Sequence, residues 1–472
     1  MWKAGLVAVV ALAWSVTSGS QGPDARVAKI AYSDIRPVWE AIRPSSPSQF
    51  AGKSSDEVAA AWPEWVRLRD SEIRSRVSQG DEDSLVNLWL FGTSFTARPP
   101  ARPRDVSLHG DGATLAQIAE GRLNDLFDAL SMPGANDRLR WARQFFTDRG
   151  LNPATTRGRT GIRELLTVVG KRMTSENVEY SRALEATNPA VDPLEWMLPY
   201  ASLYSGRGLS SDTSILSSFA VDATLEGLSK SGLIGPGSVR RVALVGPGLD
   251  FINKADGHDF YPEQTIQPFA LADSLIRAGL ARAGDLSVTT FDVSARVNQH
   301  LIAARERARK GVGYVVQFPL SDAERWSQEL DRYWQKAGDR IGEAVAASVP
   351  PRTAGVVKVR AVRVRPDVVM SIEPRDLNIV LERLEPLRDD ERFDLVVATN
   401  VFVYYDAFEQ TLAMTNTARM LRPGGSLLSN QAIRPIAPMK NAVGHEAVPY
   451  SDRQFDHLFW YQRQPLDSAL GK

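Results

Sequence analysis

Residues Arg392 to Asn430, RFDLVVATNVFVYYDAFEQTLAMTNTARMLRPGGSLLSN, decide the fold. They read as strand, loop, helix, Gly-Gly turn and strand. Phe393 to Ala398 is an apolar, β-branched run of the kind a fully buried parallel strand needs. Helix-compatible apolar positions follow at Leu412, Met414, Ala418 and Leu421. Pro423-Gly424-Gly425 predicts the stop of that helix, and Ser426 to Asn430 predicts the next strand.

Outward from this unit the same alternation continues. Arg241 to Val245 reads as a short strand that stops at Gly246-Pro247-Gly248, and Gln267 to Ala281 as a helix. Leu286 to Phe291 is the next strand, and Val293 to Lys310 is helical. The pattern predicts a long amphipathic helix over Ser321 to Ser348 and an exposed strand over Val356 to Val364, where apolar and basic residues alternate. Val368 to Ile372 and Asp456 to Gln462 complete the strands. Strands alternating with helices predict an α/β fold, a doubly wound and mostly parallel Rossmann-like sheet, over residues 205–472. Residues 23–204 read as a mainly helical region, with helices over Asp56 to Val77, Thr114 to Ala129, Asp137 to Asp148 and Thr160 to Leu184. The proline-rich breaks at Ala97 to Arg104 and Asn188 to Pro193 read as surface connections or a linker.

Length and composition narrow the function. A chain of 472 residues is expected to form two domains. Its 56 Lys+Arg balance 56 Asp+Glu, so no net charge favours nucleic acid as a partner. The absence of cysteine excludes disulfides, thiolate metal sites and cysteine nucleophiles, and five histidines leave little for a multi-histidine centre. Met1-Trp2-Lys3, the apolar run Ala4 to Val16 and the small residues Thr17 to Ser20 have the layout of a secretory signal peptide, residues 1–22. That run is shorter than the ~20 residues a spanning helix needs, so the mature chain is expected to carry no membrane span and to be periplasmic or secreted. If the leader reading fails, the chain is cytoplasmic.

The strand–helix–PGG–strand unit resembles the back half of class I S-adenosylmethionine-dependent methyltransferases. FDLVVATNVFVYYD is particularly similar to the branch that methylates chemotaxis receptors. The resemblance covers roughly residues 205–463 and implies S-adenosylmethionine as a small-molecule cofactor. Such sheets bind ligands outside the carboxyl ends of their strands, where Gly246 and Gly248 fall. By position these glycines resemble the family's loop along the methionine and ribose of the cofactor. The acidic residue usual two positions before the first glycine is Leu244 here, and the third glycine is Asp250, which is a candidate to replace the missing carboxylate toward the cofactor's ammonium. Asp292, ending the second strand, matches the family's ribose-binding carboxylate or else caps the following helix. Asp376 matches the contact to the adenine amino group, with Asn378 beside it, or else caps a turn. The acceptor pocket is expected from Asn400, Tyr404, Tyr405 and Asp406 past the fourth strand. Asn400, Tyr404 and Asp406 are its candidate catalytic residues, the last two able to hydrogen-bond or deprotonate an acceptor.

Competing chemistries are poorly supported. The dinucleotide fingerprint needs a third glycine where this chain has Phe251, and the stretch Leu249 to Gln267 separates the glycine turn from the next helix. Asp256, His258 and Asp259 on a glycine turn are a low-specificity metal pattern, and no metal is expected. Phe260, Tyr261 and Gln264 read instead as a lid over the cofactor or acceptor. The polar loop Tyr204 to Asp212 reads either as a flap over a ligand or as a cap, through Ser211 or Asp212, for a helix starting near Thr213. Gln431 to Arg453 is short for a helix plus a strand, which predicts a trimmed sheet edge. The expected function is methyl transfer to an unidentified acceptor. The alternative is an exported, non-catalytic binding protein on the same fold with a degenerate cofactor site.

Overall fold

A computed structural model describes residues 26–101, 114–185, 204–252, 257–322, 325–439 and 444–465. Residues 1–25, which hold the leader-like run, lie outside the described residues. The N-terminal half contributes a short strand β1 (Arg26–Lys29), a long helix α1 (Ser55–Phe91), and helices α2 (Leu115–Ser131), α3 (Asp137–Asp148) and α4 (Thr156–Glu185). Helix α1 starts at a capping box in which Ser54 and Glu57 satisfy each other's backbone N–H. At ~1.5 Å per residue it is about 55 Å long, enough to run past the whole sheet.

The α/β half follows with α5 (Ile215–Lys230), β2 (Arg241–Val245), α6 (Gln267–Arg277), β3 (Ser287–Asp292) and α7 (Ala295–Arg309). Next come β4 (Tyr314–Ser321), α8 (Gln328–Lys336), β5 (Gly342–Val345), β6 (Val357–Val364), α9 (Pro366–Met370), β7 (Ile372–Asp376) and β8 (Glu382–Glu385). The chain ends with β9 (Phe393–Ala398), α10 (Ala407–Met420), β10 (Leu421–Ser429), β11 (Gly444–Pro449) and β12 (Phe455–Gln462). The seven-stranded sheet has the order β11-β12-β10-β9-β2-β3-β7. Strands β7, β3, β2, β9 and β10 are parallel, and β12 inserts antiparallel between β10 and β11. This is the doubly wound sheet the alternation predicts, and the strand read over Asp456 to Gln462 is its β12.

Strand residues alternate between the two faces of this sheet. Val242, Leu244, Leu395 and Val397 pack against α5, α6 and α7, while Ala243, Val245, Val396 and Ala398 pack against α10 and the start of α1. On the second face Trp62 and Trp65 of α1 meet Phe50 and Phe408. A third cluster lies in the helical half and takes in Phe251 and Ile252 from the stretch after the glycine turn.

Several expectations need correcting. The segment read as one helix over Ser321 to Ser348 is the end of β4, the short helix α8 and strand β5, and β4, β6 and β5 form a separate three-stranded antiparallel sheet. Gly338 turns the chain at φ 86°, and Gly342 lies where a Cβ would be 2.2 Å from the Arg363 carbonyl oxygen, so pairing with β6 overrides helical propensity. Val368 to Ile372 is not a strand: Pro366 at the first helical position starts α9, and the strand begins at Ile372. The sheet edge keeps its strand β11; what is absent, among the described residues between β10 and β11, is a helix. Helix α5 starts one residue after Ser214, so neither Ser211 nor Asp212 is its cap. Among the described residues no helix is long and apolar enough to cross a membrane.

Phe260, Tyr261 and Gln264 do not form a lid. Phe251, Ile252, His258, Asp259, Tyr261, Gln264 and Thr265 are buried where the helical half meets the sheet. Arg138 of α3, itself buried, donates hydrogen bonds to the carbonyls of Phe251 and Tyr261, and to that of Asp250 at 2.8 Å. Arg138→Met should leave those carbonyls unsatisfied and cost about 3 kcal/mol or more. Amide hydrogen exchange over residues 257–266 should then accelerate. Protection equal to that of the parent protein would contradict the packing role.

Candidate functional site

The main cleft opens at the carboxyl ends of the parallel strands, where β2 is flanked by β3 on one side and β9 on the other. Its walls include Val245, Gly246 and Gly248 after β2, Phe291 to Ser294 after β3, and Thr399 to Val401 after β9. Leu377, Ile379, Tyr404 and Tyr405 also line it. Val77 of α1 and the loop Leu209 to Thr213 complete it. Its volume is about 730 Å³ with the open mouth included, within the ~300–1,000 Å³ usual for ligand clefts.

Gly246 and Gly248 are required by geometry. Their φ angles are 63° and 69°, in the left-handed region. A Cβ on Gly246 would come 2.8 Å from Val401 Cγ2, and one on Gly248 would come 2.6 Å from the Ser211 carbonyl oxygen. The turn is fixed from both sides: Gly246 N–H donates to Phe291 O at 2.8 Å, and Leu249 N–H donates to Ser211 O at 2.7 Å.

Asp292 ends β3 facing this turn. Its Oδ1 accepts from Ser294 N–H at 2.7 Å, and Ser294, not Asp292, caps α7. Removal from bulk water pushes its carboxyl up to about 7; the Ser294 amide opposes that shift and the charge on Asp376 adds to it. A carboxylate so placed gains from hydroxyl donors, because they stabilise its charged form.

The other candidates divide. Asn400 lines the cleft in a left-handed conformation, φ 59°, which Asn tolerates better than most residues. Asn430 holds it there: Asn400 N–H donates to Asn430 Oδ1 at 2.8 Å, and Asn430 Nδ2 donates back to Asn400 Oδ1 at 2.7 Å. Tyr404 lines the cleft and packs edge-on against Tyr204. Asp406 does not reach the cleft; it caps α10, accepting from Glu409 N–H at 2.9 Å. Asp250 is turned away as well. It is buried, accepts from Tyr261 Oη at 2.9 Å and Gln264 Nε2 at 3.1 Å, and burial pushes its carboxyl up to about 6 against the charge of Arg138. Asp376 pairs beside Asp292 across β3 and β7 but points to Arg74 of α1, 2.6 Å away. Asn378 is buried and donates to Asp70 at 2.9 Å. Asp256 lies outside the described residues, and Asp259 is taken up by Thr93 N–H at 2.7 Å and the Ser94 hydroxyl at 2.6 Å.

Sequence reasoning missed Val77, Thr213, Gln267 and Thr399 as cleft residues, while Leu209 to Asp212 belong to the loop it read as a flap over a ligand or a helix cap. It also missed Arg76, buried behind the tyrosines, which donates to the carbonyls of Arg207 at 2.8 Å and Tyr404 at 3.0 Å. Burial pushes the Tyr405 hydroxyl well above its ordinary value, opposed by the Arg76 charge. One signal was available: Gly80, an isolated glycine inside a helical pattern, marks a close packing contact.

Residues 342–429 match the family model described as a methyltransferase domain, a span from β5 to the end of β10 that stops short of the glycine turn. No curated protein sequence matches the chain. Similar solved structures include the N-methyltransferase NodS from Bradyrhizobium japonicum WM9, at 13% identity and TM-score 0.24, covering 52% of this chain and 96% of that one. Another is magnesium protoporphyrin IX methyltransferase (ChlM) from Synechocystis PCC 6803 with bound SAM, at 12% identity and TM-score 0.26, covering 59% of this chain and all of that one. At those scores the likeness carries no argument of its own. The strand order does: the α/β half has the Rossmann-like fold of class I methyltransferases, and residues 342–429 within it match the methyltransferase-domain model.

Asp292→Ala should weaken binding of S-adenosylhomocysteine by about 1.5–3 kcal/mol if the carboxylate accepts from ribose hydroxyls. Those donors favour the charged form, so protons compete with the ligand, and affinity should fall as pH drops below about 7. Titration calorimetry at pH 8 and at pH 6 should show that fall in the parent and its loss in the variant. Equal affinity in the two proteins at both pH values would remove Asp292 from the site.

Proposed function

We propose that this chain is an S-adenosylmethionine-dependent methyltransferase whose N-terminal helical half forms part of the cofactor site. The observation that carries the reading is the side-chain-free turn at Gly246 and Gly248 facing Asp292 across one cleft, on the same sheet as residues 342–429, which match a methyltransferase-domain model. The residues fit the cofactor. A glycine turn admits close backbone approach, a carboxylate suits a ribose diol, and Val293, Leu377 and Ile379 offer apolar walls for a purine. Asp376, engaged by Arg74, is not needed in that role.

The bound sulfonium would supply an already activated methyl group. The chain's residues would then align the acceptor and exclude water. Val401, Tyr404 and Tyr405 form the wall nearest the acceptor side, and Asn400 fixes the backbone between that wall and the glycine turn. Asp212 and Asp292 are the carboxylates of the cleft lining among the described residues. Within the family, the wording of Phe393 to Asp406 supports the chemotaxis-receptor branch, and that finer assignment rests on these residues alone.

A second reading is favoured by one observation. Leu244, where the family carries an acid, is buried apolar surface, as suits an exported, non-catalytic binding protein that kept the fold. Export itself rests on the leader-like start.

Calorimetry of the full chain with S-adenosylmethionine and S-adenosylhomocysteine should show saturable binding of both, at one site per chain. Binding of neither would overturn the enzyme reading. Intact mass of the native protein should place its first residue between Ser18 and Pro23. Retention of Met1 in a cytosolic fraction would overturn export and leave the enzyme reading standing.

A further inference from the structure

The family's carboxylate for the cofactor's ammonium is missing from β2: Leu244 stands there, buried, with its side chain in the apolar core shared with α5 and α6. Asp250 does not replace it, being enclosed by Tyr261 and Gln264. Yet the corner of the cleft next to Gly248 is strongly polar. Asp212 lines it, on a loop whose Ser211 carbonyl accepts from Leu249 N–H at 2.7 Å and lies where a Gly248 Cβ would be. Ser84 of α1 donates to Asp212 Oδ2 at 3.3 Å and steadies that side chain. Gln267, the first residue of α6, also lines the cleft and is 7% exposed. Its Nε2 faces the hydroxyls of Ser217 and Thr399 at 3.4 Å, which leaves the amide oxygen as the group free to accept. That oxygen is buried with no hydrogen-bond partner in the protein, and so is the hydroxyl of Thr213.

Burying an unsatisfied amide oxygen costs about 1–3 kcal/mol, so such a group in a cleft that also holds a carboxylate is explained by a ligand that supplies donors. The chemistry of the pair selects the ligand group. A carboxylate and a carbonyl oxygen are both acceptors and together suit an ammonium, which has three donors and no acceptor.

We propose that Asp212 and Gln267 bind the α-ammonium of the cofactor's amino-acid end, so that the acidic function absent from β2 is supplied by the loop preceding it and by α6. The assignment rests on the methyltransferase reading above. Asp292 on the neighbouring strand end fixes the ribose, and the glycine turn separates the two carboxylates, as the two ends of one nucleoside-linked amino acid require.

Two probes separate this role from general damage to the cleft: S-adenosylhomocysteine, which carries the ammonium, and 5′-methylthioadenosine, which lacks the amino-acid end. In calorimetry on the full chain, Asp212→Asn should weaken S-adenosylhomocysteine about tenfold or more while leaving 5′-methylthioadenosine within about twofold. Gln267→Leu should follow the same pattern with a smaller loss. Asp292→Asn should weaken both probes. Equal weakening of both probes by Asp212→Asn, or no change in either, would overturn the assignment while leaving the cofactor reading intact. Failure of the parent protein to bind either probe would overturn both.

Discussion

The backbone of loop 207–211 lies directly on helix α1, and the cleft depends on that contact. A Cβ on Gly80 of α1 would come 1.9 Å from the Leu209 carbonyl oxygen, and one on Gly208 would come 2.5 Å from Gly80 N. Leu209 N–H donates to Arg76 O at 2.9 Å, and Arg76 in turn donates to the carbonyls of Arg207 and Tyr404. The same loop then presses on the glycine turn through Ser211 and Gly248. Glycines on helix, loop and turn let three backbones meet without intervening side chains.

This contact makes the helical half part of the site. Helix α1 packs its first turns on α10 through Trp62 and Trp65, bonds Glu409 through Arg69 at 2.6 Å and holds Asp376 through Arg74. Further along, it offers Val77 to the cleft and Ser84 to Asp212. Arg138 of α3 locks the stretch after the glycine turn from the other side. Ligand affinity and docking of the two halves are therefore linked: whatever loosens α1 loosens the wall of the cleft.

The parallel sheet was legible because its strands are short, buried on both faces and flanked by turns, so Arg241–Val245 and Phe393–Ala398 stand where their sequences place them. The three-stranded sheet was not, because β5 is held by its pairing with β6, a contact remote in sequence. Gly246, Gly248 and Asp292 were legible from their position at strand ends. The roles imagined for Asp250, Asp376 and Asp406 depended on direction: each lies next to the right element but spends its carboxylate elsewhere, on Tyr261, Arg74 and the α10 N-terminus. Val77 was hidden for the opposite reason, since it comes to the cleft from outside the segment that resembles the family, whereas Asp212 lies on the loop read as a flap or a helix cap.

The measurement that tests this account most directly is the effect of Gly80→Ala on cofactor binding. Alanine is the better helix former by about 1 kcal/mol, so α1 itself is not weakened by the change. The added Cβ must displace Leu209 and with it Ser211 and Asp212. Calorimetry should show S-adenosylhomocysteine binding reduced by about tenfold or more, with far-ultraviolet circular dichroism unchanged. Affinity equal to that of the parent protein would contradict the claim that the helix–loop contact builds the cleft.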